Sequence, residues 1–144
     1  MIQRSFINRL RLSGNSAILT EIQQKIQHID LLSVFAPSPD RKGDRYYFHY
    51  GHYQGEWGVS CRTKFKDDTL SVSFTSHSVP PITVLKMFGY NEPSLSIYLN
   101  YISLQEKIYG EFEYNHPLCK DQMFDLTTHE RIVGHIRHVI LGMF

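Results

Sequence analysis

At 144 residues with 42% hydrophobic content, the chain has the size of one domain and enough length to bury roughly two thirds of the surface that its unfolded form exposes. Its 15 Lys and Arg stand against 14 Asp and Glu, which excludes a whole-molecule field for nucleic acid or anionic membrane and leaves only local patches for such a role. The longest apolar run, Val139-Ile140-Leu141 ahead of Gly142-Met143-Phe144, falls far short of the ~20 residues that a membrane helix needs.

In chain order, Phe6 to Leu12 alternates with period two, which predicts a strand with Phe6, Leu10 and Leu12 inward and Ile7, Arg9 and Arg11 outward. Asn8 is the odd polar residue on the apolar side. Ser13-Gly14-Asn15-Ser16 supplies turn and N-cap chemistry for a helix whose apolar stripe is Ile18, Ile22, Ile26 and Ile29. From Leu31 to Glu56 the periodicity is lost: a proline-interrupted polar loop, Phe35 to Asp44, precedes the aromatic segment Tyr46-Tyr47-Phe48-His49-Tyr50, read as packing on the sheet with Trp57 as its anchor.

Val59, Cys61, Thr63 and Phe65, then Leu70, Val72 and Phe74, alternate with polar residues on either side of Asp67-Asp68, which predicts a hairpin without a turn glycine. Ser78 is the candidate N-cap of a second helix. Pro80 and Pro81 sit where the N–H groups at its start have no intrahelical partner, and Gly89 falls at its C′ position. Leu95, Ile97 and Leu99 give way to Ile102 and Leu104, a parity change that predicts a bulge or bend near Asn100. Ile108, Gly110, Phe112 and Tyr114 mark a last long strand, residues with His116-Pro117 and Cys119 a loop, and Thr127 with Glu130 a capping box ahead of a C-terminal helix. The expected fold is α+β: a ferredoxin-like split β-α-β antiparallel sheet with helices on one face, plus an extra C-terminal strand and helix, all in a single domain 1–144 with its core at about 5–114 and a C-terminal loop and helix at 115–144.

Asn8-Arg9-Leu10 in a strand ending at Ser13-Gly14, Phe35-Ala36-Pro37-Ser38-Pro39, Trp57-Gly58, Phe74-Thr75 leading to Pro80-Pro81, and Tyr98 through Tyr109-Gly110 together resemble the YubB ferredoxin-like family of plasmid- and phage-encoded proteins. The resemblance is that of a distant member. Ser5-Phe6 stands where the family has a Trp-Cys pair, Val59 to Arg62 where it has Lys-Trp, and His77 where it has a second tryptophan. It implies fold and mobile-element origin, and carries over no catalytic residue.

Two surfaces are candidates for contact. Tyr46, Tyr47, Tyr50 and Tyr53, with Arg62 and Lys64, have the aromatic and cationic chemistry of a protein interface. Arg9, Arg11, Arg62, Lys64, Ser71, Ser73 and Tyr98 share the outward face of the expected sheet, where arginines hold phosphates and a tyrosine stacks on bases, although Glu111 and Glu113 repel phosphate. His49-x-x-His52 and His135-x-x-His138 with Cys61 or Cys119 do not show convergence on a metal. Cys61, inward-facing, reads as an inert buried thiol. No disulfide framework is apparent, and Met1 to Ser5 lacks an apolar signal core, so a cytoplasmic protein is expected. The expectation is a non-enzymatic, cofactor-free phage or plasmid accessory protein, monomer or homodimer, that binds a host protein, as in inhibition of a defence system such as CRISPR-Cas; the alternative is a nucleic-acid-binding module on the basic sheet face.

Overall fold

The computed structural model describes residues 5–28, 34–35, 62–66, 68–77 and 80–126, with backbone alone at 62–64 and 77. The elements run β1 (Ser5–Ser13), α1 (Ser16–His28), β2 (Arg62–Lys66), β3 (Thr69–His77), α2 (Ile82–Asn91), β4 (Ser96–Ser103), β5 (Ile108–Asn115) and β6 (Leu118–Asp125). The strands form one antiparallel six-stranded sheet in the order β2-β3-β1-β4-β5-β6, and both helices pack on one face of it. The fold is α+β.

The alternation of β1 is realised residue by residue, with Phe6, Asn8, Leu10 and Leu12 buried and their neighbours half-buried. Leu70, Val72 and Phe74 of β3 and Ile97, Leu99 and Tyr101 of β4 join them beneath the helices. Each such aliphatic side chain contributes roughly 1.5–3 kcal/mol relative to exposure. Asn8 is fully buried among them, donating from Nδ2 to Ser76 Oγ at 3.0 Å and to the Phe6 carbonyl at 3.3 Å.

Helix α1 is capped by Asn15, whose Oδ1 accepts from the N–H groups of Ala17 and Ile18 at 2.9 and 3.3 Å. Its buried centre is Leu19 with Ile22, while Ile18 and Ile26 lie at the margins and Ile29 is outside the described residues. Gly14 enters the helix at φ 143°, with the Ser94 carbonyl 2.8 Å from where a Cβ would stand, so a side chain there meets both strain and collision.

Four expectations need correction. The N-cap of α2 is not the expected Ser78, whereas the two prolines do precede the helix where an N–H would lack an intrahelical partner. Pro81 is its N-cap position, with no side-chain cap bond, and the Leu85 N–H to the Pro81 carbonyl at 3.2 Å opens the helix; Ser78 lies outside the described residues. Gly89 does not end the helix, which continues to Asn91. It is buried, and a Cβ there would sit 2.5 Å from Tyr114 Cδ1, so what the glycine allows is close approach to β5.

There is also no bulge at Asn100: the ladders of β4 to β1 and to β5 run without interruption from Ser96 to Ile102. Apolar parity changes because both faces are filled there. Ile102 and Tyr109 form a second small core with Ile7, Phe124 and Leu126 on the side away from the helices. Finally, the loop expected after residue 115 is strand β6, paired with β5 from Leu118↔Asn115 to Asp125↔Ile108. It is an edge strand exposed along nearly its whole length, so no burial pattern marks it. The hairpin turn between β2 and β3 does close without glycine: Lys66 pairs with Thr69, and Asp68 takes φ 58°, a conformation that a short polar side chain tolerates. The segments with Tyr46 to Tyr53, with Trp57 and Cys61, and with the helix expected after Thr127 lie outside the described residues.

Candidate binding face of the sheet

Antiparallel pairing sets side chains level with one another in rows across the sheet. On the face away from the helices one row runs Lys64, Ser71, Arg11, Tyr98, Glu113, Lys120 by register, and the next runs Arg62, Ser73, Arg9, Asn100, Glu111, Gln122. The backbone thus brings Arg9, Arg11, Arg62, Lys64, Ser71, Ser73 and Tyr98 to one face, as the alternation predicts. The sign of charge also changes across this face, from arginines on β1 to glutamates on β5, with β4 between.

Along the centre line the side chains are linked. The Arg11 guanidinium lies 4.5 Å from the centroid of the Tyr98 ring, a cation–π contact. Asn100 Nδ2 donates to the Tyr109 hydroxyl at 2.8 Å and, more weakly, to the Tyr98 hydroxyl at 3.4 Å; the Tyr109 hydroxyl in turn donates to Glu111 Oε1 at 2.9 Å. Burial holds the Tyr109 phenol well above the ordinary tyrosine range, and its hydrogen bond to the Glu111 carboxylate and that group's charge push the same way. Glu113, more exposed, accepts from Asn115 Nδ2 at 3.2 Å. Neither Arg9 nor Arg11 has a carboxylate partner among the described residues, and Arg11 Nε is buried there without a hydrogen bond.

Between β4, β5 and β6 the surface dips into a depression of about 40 Å³ lined by Tyr98, Glu111, Glu113, Lys120 and Gln122. A small-molecule site takes ~300 Å³ or more, so this hollow suits a water or the tip of a partner's side chain. Among the described residues no three His, Cys, Asp or Glu side chains gather as metal ligands, and no helix is long and apolar enough to cross a membrane. His49, His52, His135 and His138 lie outside them, and Cys119 is free and exposed on β6.

No protein-family model, curated protein or solved structure matches the chain. The face has to be read from its own chemistry. Of the residues singled out by sequence, Arg11 and Tyr98 meet side chain to side chain, and Arg9 stands in the next row by register. Arg62 and Lys64 come to the same rows by backbone position, and Tyr46, Tyr47, Tyr50 and Tyr53 lie outside the described residues. Asn100 was not singled out, nor Tyr109, and Glu111 and Glu113 figured only as a deterrent to phosphate. An unbroken reading of β4 would have found Asn100, since i, i+2 spacing from Tyr98 puts both on one face.

Proposed function

We propose that this protein works by binding, as a non-enzymatic accessory protein, and that its contact surface is the charge-divided sheet face centred on Tyr98. The observation that carries this reading is the pairing of two arginines on β1, without carboxylate partners among the described residues, with two glutamates on β5, level with them and one strand beyond Tyr98 and Asn100. A protein surface of alternating sign answers such a pattern. A nucleic-acid backbone answers it poorly, because phosphates tracking the arginines run on to Glu111 and Glu113, and the Tyr98 ring is already stacked by Arg11.

The strand order β2-β3-β1-β4 with one helix after β1 and one after β3 supports a ferredoxin-like plan for the first four strands. Together with the resemblance to the YubB family, it motivates a finer proposal: a phage- or plasmid-encoded protein of the host cytoplasm that sterically blocks a defence complex such as CRISPR-Cas. Affinity capture from a lysate of a CRISPR-bearing bacterium, with wild type beside an Arg9→Glu, Arg11→Glu variant, tests it. The expected result is a host protein retained by the wild type and lost by the variant. Retention that disappears on nuclease treatment assigns the face to nucleic acid, and the absence of any retained partner sinks the reading.

A further inference from the structure

On the same face, opposite charges stand at equal distances from one line. Tyr98 has Arg11 as its ladder partner on one side and Glu113 on the other, and Asn100 has Arg9 and Glu111. Strands are spaced about 4.8 Å apart, so each arginine is roughly 10 Å from the glutamate in its own row and opposite it across β4.

A two-fold rotation about an axis lying along β4, just above this face, exchanges the β1 and β5 sides and keeps each row level with itself. Arg11 of one copy then stands over Glu113 of the other, Arg9 over Glu111, and Tyr98 over Tyr98. Further out, Ser71 and Ser73 of β3 meet Lys120 and Gln122 of β6, so no like charges are set against each other. We infer that the occupant of this face is a second copy of this chain, packed sheet to sheet in an isologous dimer held by twice-repeated Arg11–Glu113 and Arg9–Glu111 pairs. Sheets stacked in this way lie about 10 Å apart, a distance that Arg and Glu side chains span from opposite sides. If a host protein also takes this face, a step that rests on the functional reading above, the two associations are mutually exclusive.

Sedimentation equilibrium on the full chain alone tests the inference, so its outcome does not depend on any host partner. The wild type should show a concentration-dependent mass rising toward two chains and weakening with added salt. Arg11→Glu and Glu113→Arg should each raise the dimer dissociation constant about tenfold or more, and an equimolar mixture of these two variants should associate again, since every pair in the mixed dimer is opposite in sign. The double variant Arg11→Glu, Glu113→Arg should self-associate like the wild type but not form mixed dimers with it, and that comparison serves should a single variant fail to fold. A wild type that stays monomeric overturns the inference. So does a dimer indifferent to both single changes, a mixture that fails to reassociate, or a double variant that mixes freely with the wild type.

Discussion

The Tyr101 ring on β4 lies across Gly110, its partner on β5, and its hydroxyl reaches one strand further to donate to Asp121 Oδ1 at 3.0 Å on β6. A methyl group at position 110 would fall on the ring itself. The ring cannot readily retreat, because Phe6 meets it edge-on at 6.2 Å and Asp121 holds its far end. Gly110→Ala is therefore expected to destabilise the fold by about 2–3 kcal/mol, although alanine is otherwise no worse in a strand. In a Tyr101→Leu background the same change should cost about 1 kcal/mol or less. Urea unfolding of the four proteins measures the coupling, and equal costs in both backgrounds would show that the ring is not the obstacle.

Gly89 poses the same question inside a helix. Exchanging a mid-helix glycine for alanine gains about 1 kcal/mol of intrinsic propensity, but here the new Cβ would stand 2.5 Å from Tyr114 Cδ1 and 3.0 Å from Ile97 Cδ1. Overpacking of a buried contact costs about 1–3 kcal/mol, so Gly89→Ala should lower stability by about 1 kcal/mol. A rise in the melting temperature would mean that α2 shifts away from β5 at little cost.

Where one face is buried and the other wet, the pattern of residues was enough to read the element. β1 and β3 show this, because Phe6, Leu10, Leu12, Leu70, Val72 and Phe74 alternate with less buried neighbours that are polar apart from Ile7. The pattern misled where that condition fails. β4 is buried on both faces beyond Leu99, which imitates a bulge, and β6 is exposed on both, which imitates a loop. Gly89 and Gly110 were opaque for a related reason: what requires glycine at each is a tyrosine ring from another strand, a contact with no local signal. At the candidate site, the arginine and tyrosine side of the face followed from alternation. The glutamate side became part of the same site only once the β4–β5 register set Glu113 level with Tyr98.

Stability should fall in strong alkali for a specific reason. Tyr101 and Tyr109 are both held above the ordinary tyrosine range, chiefly by burial and then by the carboxylates of Asp121 and Glu111. In the unfolded chain both phenols ionise near pH 10. The folded state keeps its protons beyond that point, so the unfolded chain gains from ionisation first; stability is intact below about pH 10 and is lost as pH rises above it. Unfolding free energies measured from pH 8 to strong alkali should show this downturn, and Tyr101→Phe with Tyr109→Phe should make it shallower. An unchanged slope in the double variant would place the alkaline sensitivity elsewhere.

Asn8 is expected to tolerate no charge. Its Nδ2 donates both to Ser76 Oγ and to the Phe6 carbonyl in the apolar core. In Asn8→Asp an oxygen would face that carbonyl and a carboxylate would lose its water, at a cost of about 3 kcal/mol or more at neutral pH. Burial raises such a carboxyl's folded pKa above its unfolded one, so the variant should regain stability as pH falls through the folded value. Denaturation of wild type and variant at neutral and acidic pH decides the matter: a deficit that does not narrow in acid would point to lost packing instead of buried charge.

Arg11 should matter far more to association than to stability. Its guanidinium stacks on Tyr98 at 4.5 Å without a carboxylate partner among the described residues, and a contact of this kind contributes about 0.5–1 kcal/mol at a partly exposed site. Arg11→Ala should accordingly cost about 1 kcal/mol or less in folding while weakening association through this face about tenfold or more. Arg11→Lys separates charge from shape: it keeps the positive sign but loses the planar stack and paired donors, so it should bind between wild type and alanine. Equilibrium unfolding paired with sedimentation of the same three proteins gives the comparison. If Arg11→Ala unfolds the chain at moderate urea yet leaves association intact, the arginine belongs to the architecture of the sheet and the contact surface lies elsewhere.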